Sequence, residues 1–196
     1  MDNSDVDKSR RRFLTAAATV VGGAGTVAGA TPFIATMAPS EKAKAIGAPI
    51  EVDISKLNPG ELVVEKWQGK PVWILRRTQE MLDDITAQDD IVSDPVSDAS
   101  AQPEYAKNEY RAREKEFLVV IGLCTHLGCS PKFIEKGIDD SPSADKGGFF
   151  CPCHGSRFDF AGRVFKDVPA PLNLVVPRYK FLSADRILIG EDTEEV

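Results

Sequence analysis

Cysteine and histidine are scarce in this 196-residue sequence, which contains four of the former and two of the latter. All six lie in two short loops, residues 124–129 (CTHLGC) and residues 151–156 (CPCHGS). A chance scatter would not place every soft metal ligand there, so we expect these loops to form the functional site. Basic residues do not outnumber acidic ones, and the net charge of −6 argues against nucleic acid as a partner.

Charge is absent from residues 13–37, a stretch rich in alanine and glycine. As an α-helix this stretch would extend about 37 Å, enough to cross the hydrocarbon core of a bilayer. We therefore predict a transmembrane anchor over residues 13–37, with a cleavable signal sequence as the alternative. The preceding residues 1–12 carry SRRRF, which matches the twin-arginine export pattern and implies a bacterial source. The positive-inside rule places residues 1–12 in the cytoplasm.

Residues 38–49 are small or charged, with a proline near each end, and this composition predicts a linker. From residue 50 onward the apolar pattern alternates as it does in half-buried strands. A short helix over residues 78–88 is predicted, with Thr78 as its cap. Its buried face should carry Met81, Leu82 and Ile85. The predicted strands of this half are residues 50–54, 61–67 and 71–77.

The second half of the chain also has the short apolar runs that are typical of an antiparallel β domain. We expect a short helix within residues 103–113, a strand at residues 116–123 that leads into the first loop, and further strands after the second loop. Residues 89–116 and 130–148 are predicted to be surface segments, and their composition indicates no particular chemistry. The later predicted strands are residues 158–160, 164–165, 174–177, 179–182 and 187–189.

Each loop carries two cysteines and one histidine, and three assignments are open on this chemistry alone. One cysteine and one histidine from each loop bind a metal centre while the other two cysteines pair, or a Cys/His set binds tetrahedral zinc, or two plain disulfides form. The spacing C-x-H followed by C-x-x-H suits a 2Fe–2S centre in which two histidines replace two cysteines. A disulfide would need an oxidising compartment, which agrees with the export pattern.

The two motifs CTHLGC and CPCHGS resemble those of the Rieske iron–sulfur protein of the quinol–cytochrome-c reductase (cytochrome bc) complex, and the resemblance covers nearly the whole chain. It implies one 2Fe–2S cluster, with Cys124 and Cys151 on the inner iron and His126 and His154 on the outer one. It also implies a disulfide between Cys129 and Cys153.

The same resemblance implies roles for three further residues. Leu127 at the loop tip is expected to dock on a partner surface. Ser156 matches a serine that donates a hydrogen bond to a bridging sulfide. Phe158 stands where high-potential relatives carry a tyrosine, which predicts a lower but still positive midpoint potential.

The resemblance also implies the architecture and place of the protein. We expect an all-β fold, an antiparallel Rieske-type sheet domain with an inserted cluster-binding subdomain at about residues 120–172, plus one N-terminal transmembrane helix. Residues 38–49 would be a hinge, and residues 50–196 a head in the periplasm. The chain would then be a single-pass protein of the bacterial inner membrane, in contact with membrane lipid.

The function implied is electron transfer within a quinol–cytochrome-c oxidoreductase. The head would take one electron, with a proton, from quinol at a cytochrome b subunit and pass it to a c-type cytochrome subunit, contributing to a proton gradient. His154 would contact the quinol, and His126 would lie beside it; ubiquinol and menaquinol both remain open, and the complex should be dimeric. The rival functions are a Rieske subunit of a periplasmic molybdenum oxidase, a cytoplasmic Rieske ferredoxin or oxygenase domain, and a zinc module.

Overall fold

The computed structural model describes residues 7–137 and 145–192, and the chain divides into two units, Met1–Ala45 and Ile46–Val196. The predictions for residues 1–6, for part of the 130–148 segment and for the last four residues therefore lie outside the described residues. The first unit contains helix α1, Lys8–Ala35, whose N-terminus is capped by the Asp7 carboxylate. Within the described residues, α1 is the one helix that is long and apolar enough to cross a membrane.

Helix α1 begins before residue 13, the predicted start of the membrane span, because the Asp7 side chain caps its first turn. Four threonines interrupt its apolar surface. Each donates its hydroxyl hydrogen to the backbone carbonyl four residues earlier, so none of these polar groups needs a partner outside the helix. These threonines are Thr15, Thr19, Thr26 and Thr31.

A second helix, α2, spans Glu41–Gly47 within the stretch that we expected to be an irregular linker. Ser40 precedes it, and the Ser40 side-chain oxygen accepts a hydrogen bond from the Ala43 backbone. A serine followed by alternating alanine and charged helix formers is a helix start signal, so the sequence did contain the information that predicts α2.

The second unit is built from three antiparallel sheets of three strands each among the described residues, with orders β1-β9-β8, β2-β3-β4 and β5-β6-β7. This confirms the predicted antiparallel β class. The strands are β1 Ile50–Asp53, β2 Leu62–Trp67, β3 Lys70–Arg76, β4 Phe117–Ile121, β5 Lys132–Ile134, β6 Gly148–Phe150, β7 Arg157–Phe158, β8 Tyr179–Ser183 and β9 Arg186–Ile189.

Strands β3 and β4 are almost entirely buried, because apolar side chains cover both of their faces. Helix α3, Gln79–Ala87, follows β3 and is capped by the Thr78 hydroxyl, which accepts the Met81 N–H. Its buried residues are Met81, Leu82 and Ile85, so this helix, its cap and its buried face were all predicted correctly. Strand β4 ends at Ile121, shortly before the loop that starts at Cys124.

Two predicted strands do not form. Residues 174–177 form no strand, because their backbone N–H and C=O groups bond to three separate segments, at Gly162, Ala101 and Ile121. Residues 164–165 make only isolated bridges, to Phe158 and Val92. The short helix predicted within residues 103–113 is the 3₁₀ helix Glu104–Ala106, and the surface segment 130–148 contributes strand β5, whose three residues pair with β6.

Three arginines, Arg77, Arg111 and Arg163, are buried around the turn at residues 159–163. The Arg111 guanidinium donates to the carbonyls of Ala161, Gly162 and Leu174, although its backbone φ of 52° is unusual for a side chain of this size. Burial lowers the pKa of Arg77 and of Arg111 to about 10, so both remain charged at neutral pH.

The turn that these arginines hold is closed by a buried ion pair. Arg163 Nε lies 2.7 Å from the Asp159 carboxylate, and neither side chain reaches solvent appreciably. The same carboxylate accepts the backbone N–H groups of Ala161 and Arg163, and a second carboxylate, Asp89, pairs with Arg163 from outside. This turn directly follows β7 and so fixes the chain that leaves the second loop.

Gly122 lies against Trp73, two residues before Cys124, and its replacement should strain the entrance to the first loop. A Cβ atom at Gly122 would lie 2.2 Å from the Trp73 ring. We expect Gly122→Ala to lower the free energy of unfolding by roughly 1–3 kcal/mol, as overpacking does. The measurement is urea unfolding in detergent, monitored by near-UV circular dichroism. Gly47→Ala is the control, since nothing lies within 4 Å of that position, and equal losses in both variants would contradict the packing argument.

The buried pair Asp159–Arg163 should contribute far more to stability than an exposed pair. We expect Asp159→Asn to cost roughly 3 kcal/mol, the lower end for a broken buried pair, because Asp89 still faces Arg163. Glu51→Gln, which removes the exposed partner of Arg186, should cost no more than about 1 kcal/mol. Urea unfolding of both variants decides the matter, and a small cost for Asp159→Asn would show that the pair does not hold the turn.

Candidate metal centre

The two cysteine-containing loops share one backbone frame. In the first loop the Cys124 N–H donates to the Cys129 carbonyl at 2.7 Å, and the Gly128 N–H donates to the Cys124 carbonyl at 2.9 Å. In the second loop Cys151 bonds to Ser156 at 2.8 Å, and Gly155 bonds back to Cys151 at 2.9 Å. The glycine of each loop has φ near +80°, a conformation that disfavours other residues.

The shared frame places different chemistry at equivalent positions. The third residue is a histidine in the first loop and a cysteine in the second, His126 and Cys153. The fourth residues are Leu127 and His154. The sixth residues are Cys129 and Ser156. The two motifs therefore have the same length, but the histidine follows the first cysteine by two residues in the first loop and by three in the second.

A disulfide joins Cys129 to Cys153 and so ties the two loops together. The other two cysteines, Cys124 and Cys151, are free and buried. The sulfur atoms of Cys129, Cys151 and Cys153 also lie within 4.8 Å of one another, but the two in the disulfide are not free thiolates. The thiols available for a metal are therefore one from each loop.

The Cys124 sulfur is buried and lies next to hydrogen-bond donors. Burial raises the pKa of the Cys124 thiol, while the His126 backbone N–H and the Ser156 hydroxyl donate hydrogen bonds to the sulfur and act in the opposite direction. The thiol also contacts the thiol of Cys151. A buried thiol of this kind gives up its proton when a metal binds, because the metal replaces the proton as the positive partner.

The two histidines lie side by side at the exposed end of the loops. Their ring centroids are 4.8 Å apart, and the rings are nearly perpendicular. His154 is exposed, His126 is half-buried, and Leu127 at the tip of the first loop has 72% of its surface accessible. The centre thus presents two imidazoles and one apolar side chain to solvent, and it keeps both thiols inside.

These residues fit a 2Fe–2S centre with mixed ligands. Two thiols and two imidazoles, one of each from either loop, make the four-donor set that such a centre needs, whereas Cys₄ coordination is excluded because two cysteines form the disulfide. Hydrogen-bond donors already lie at the Cys124 sulfur, as they do around metal-bound thiolates. The two-disulfide alternative does not agree with the free thiols of Cys124 and Cys151.

The two residues expected to tune the centre are both buried. The Ser156 side-chain oxygen accepts the Ala170 backbone N–H at 3.0 Å, and a hydrogen bond from its hydroxyl to the Cys124 sulfur acts to lower the pKa of that thiol. Phe158 lies in β7, where it pairs with Phe149 and forms a bridge with Val164. The aromatic side chain at this position carries no hydroxyl, as the sequence already showed.

Two contacts in the centre were not predicted. The Thr125 hydroxyl donates to the Leu172 carbonyl at 2.5 Å, so the first loop is fixed to the proline-rich segment that covers it. Asn173 follows that segment and is fully buried among polar groups. No local sequence signal identifies Asn173, because its side-chain amide donates to residues more than 70 positions earlier in the chain.

The chain matches two known family profiles. Residues 1–40 match the profile described as "Ubiquitinol-cytochrome C reductase Fe-S subunit TAT signal", and residues 105–180 match the "Rieske [2Fe-2S] domain". These matches confirm the twin-arginine motif, the Rieske fold and the 2Fe–2S cofactor predicted from the sequence.

Known relatives cover nearly the full length of the chain. The "Ubiquinol-cytochrome c reductase iron-sulfur subunit" of Allochromatium vinosum is 54% identical over 98% of this chain and 93% of its own length. The protein of the same name from Bradyrhizobium diazoefficiens is 42% identical over 93% and 94% of the two chains. A solved chain titled "Hyperthermophilic respiratory Complex III" aligns at 25% identity with a TM-score of 0.48, covering 89% of this chain and 99% of its own.

The free thiols, the paired imidazoles and the inter-loop disulfide all occur within the matched Rieske domain. The export signal and the apolar helix α1 lie within the other matched segment. Together with the full-length relatives, these findings show that the chain belongs to the family of ubiquinol-cytochrome c reductase iron–sulfur subunits.

Proposed function

We propose that this chain takes single electrons from ubiquinol at a cytochrome b subunit and passes them to a c-type cytochrome subunit of the same complex. The observation that carries the proposal is the arrangement of the loop tip. Exposed His154 and Leu127 lie on the outside, and the thiols of Cys124 and Cys151 are buried behind them. A redox centre built in this way can meet a substrate through imidazole while its sulfur ligands stay away from water.

Within this proposal, Cys124 and Cys151 hold the inner iron, and His126 and His154 hold the outer one. When bound, the cluster supplies a one-electron couple whose potential is high because two neutral ligands replace two thiolates. The disulfide between the two loops keeps both ligand pairs together. The relatives' names specify ubiquinol, and this supports ubiquinol over menaquinol as the substrate.

His154 is the residue placed to meet the quinol. Its ring is exposed, so the ring nitrogen that does not bind iron can accept a hydrogen bond from a quinol hydroxyl and then take the proton. Leu127 covers the neighbouring surface with an apolar side chain and excludes water there. His126 is half-buried beside His154 and has less room for a direct contact with substrate.

The remaining parts of the chain support a membrane-anchored electron carrier. We propose that residues 1–12 lie in the cytoplasm, residues 13–37 span the inner membrane, residues 38–49 act as the hinge, and the head from residue 50 faces the periplasm in a dimeric complex. The Trp67 indole N–H donates to the Ala48 carbonyl at 3.0 Å, so the end of the hinge is attached to the head before β1 begins. Movement then occurs before residue 48.

An EPR spectrum of dithionite-reduced membranes containing the full chain tests the function directly. We expect a Rieske-type signal, and we expect a quinol-site inhibitor to shift it, because the inhibitor occupies the site that His154 contacts. His154→Ala should abolish the signal, since it removes a proposed ligand. The matched control is Asn108→Ala, whose hydrogen bonds stay within residues 105–112, and it should retain both signal and shift.

Two results would overturn parts of this proposal. A Rieske signal that the inhibitor leaves unchanged, and that a salt wash removes from the membranes, would indicate a soluble carrier for a different enzyme. A chain that contains zinc and gives no signal would rule out the redox function.

Phe158→Tyr should raise the midpoint potential of the centre. A phenol hydroxyl at this buried position can donate a hydrogen bond to a ligand sulfur and stabilise the reduced form. At about 1.5 kcal/mol for a hydrogen bond to a charged group, the rise is roughly 60 mV for one electron. A redox titration followed by EPR measures it. Phe160→Tyr adds the same hydroxyl to another buried ring and should leave the potential unchanged, and equal effects in both variants would refute the tuning role.

A further inference from the structure

Residues 168–174 form a covering loop that lies over both cysteine-containing loops. The Leu172 carbonyl accepts the Thr125 hydroxyl from the first loop, and the Ala170 N–H donates to Ser156 of the second. The covering loop is therefore the one described segment outside the two motifs that hydrogen-bonds to both of them. A shift in its position would change the surroundings of both loops together.

The covering loop has little in its own backbone to hold it in place. Pro169 and Pro171 have no N–H group, and the loop forms no regular strand or helix. Its backbone-to-backbone hydrogen bonds lie only at its flanks, where the Lys166 N–H donates to the Ile91 carbonyl and the Leu174 N–H donates to the Gly162 carbonyl. The buried Arg111 guanidinium also donates to the Leu174 carbonyl at one end of the loop. Its position must therefore depend on side-chain contacts.

Asn173 provides several of those contacts. Its side chain is fully buried, and its amide group donates to the Asp94 carbonyl at 2.9 Å and to the Ser97 hydroxyl at 3.0 Å. Its side-chain oxygen accepts the Val164 N–H at 2.8 Å, and its backbone N–H donates to Ser100 at 3.1 Å. Both ends of the carboxamide are thus satisfied, which fixes its orientation.

The partners of Asn173 are themselves organised by one carboxylate. Asp94 accepts the backbone N–H groups of Asp98 and Ala99 and the Ser100 hydroxyl, at 2.8, 3.2 and 2.7 Å. Ser97 is fully buried in this turn with a φ of 60°. The turn 94–100 is therefore a preformed support, and its polar groups close around the Asn173 side chain.

We propose that Asn173 is a positioning residue for the cluster, holding the covering loop so that Ala170 orients the Ser156 hydroxyl and Leu172 holds Thr125. This inference rests on the proposed function, since Ser156 tunes the potential only if the cluster is bound between the two motifs. It gives a role to the acidic segment 89–116, for which the sequence suggested none: its turn at residues 94–100 supports the covering loop.

The effect on Ser156 follows from the donors and acceptors of a hydroxyl. A serine oxygen has one hydrogen and two lone pairs. The Ala170 N–H occupies a lone pair, which leaves the hydrogen to point towards the ligand sulfur. If the covering loop moves, the hydroxyl can rotate, and the reduced centre loses a hydrogen bond that stabilises its extra negative charge. The midpoint potential then falls.

The test uses the full chain in its membrane complex and measures the midpoint potential in a redox titration that is monitored by EPR. We expect Asn173→Ala to shift the reduction equilibrium towards the oxidised form by up to about tenfold, which corresponds to about 59 mV for one electron. Asn108→Ala is the matched control. It deletes another loop-organising carboxamide, whose bonds stay within residues 105–112, and should leave the potential unchanged.

A double-mutant cycle separates positioning from general destabilisation. In a Ser156→Ala background, Asn173→Ala should add no further shift, because the hydroxyl through which it acts is gone. An additive shift would overturn the inference, and so would an unchanged potential in Asn173→Ala. If Asn173→Ala does not assemble, Ser100→Ala, which removes one of the Asn173 partners, replaces it and must lower the potential in the same way.

The proposed function and this inference fail in different ways. A wild-type chain without a Rieske signal would overturn the function. A normal wild-type signal together with a potential that is insensitive to Asn173 and to Ser100 would overturn only the positioning role.

Discussion

The central constraint in this protein is that two distant segments must form the same hydrogen-bonded loop and then face each other. Each loop closes when the N–H of its first cysteine reaches the carbonyl five residues later and a glycine with positive φ bonds back to that cysteine. Because the frame is the same in both, the ligand types are set only by which residue occupies which position. The frame buries Cys124 and Cys151, and it leaves His154 and Leu127 at the surface.

Buried charged groups stabilise the turn that follows the second loop. Arg163 forms a buried pair with Asp159, and Arg77 and Arg111 donate to backbone carbonyls of the turn that follows the second loop. A guanidinium has five donors in a fixed plane, so each of these side chains can hold several carbonyls that no strand would otherwise satisfy. The irregular backbone needed around a metal centre is thus stabilised without additional regular structure.

The sequence predicted the features that depend on local pattern and those carried by the family motifs. Strands β2, β3 and β4 follow from their short apolar runs, α3 from Thr78, and the ligand set from the resemblance, although the ligand roles stay predictions. Features that depend on distant partners were not predictable. Burial of Arg111 leaves no trace in its neighbours, the segment 174–177 looks like a strand although its backbone partners are scattered, and Asn173 acquires its role from a turn over 70 residues away.

Arg111 also illustrates how little freedom evolution has at such a position. A glycine there would accept the φ of 52° without strain, but it would leave the carbonyls of Ala161 and Leu174 without the guanidinium donor. A lysine would keep the charge, yet its single ammonium cannot reproduce the planar fork that reaches all three carbonyls. Each of these two substitutions keeps one property of the arginine and loses another. The unfavourable φ of Arg111 is therefore tolerated because one guanidinium bonds to three carbonyls at once.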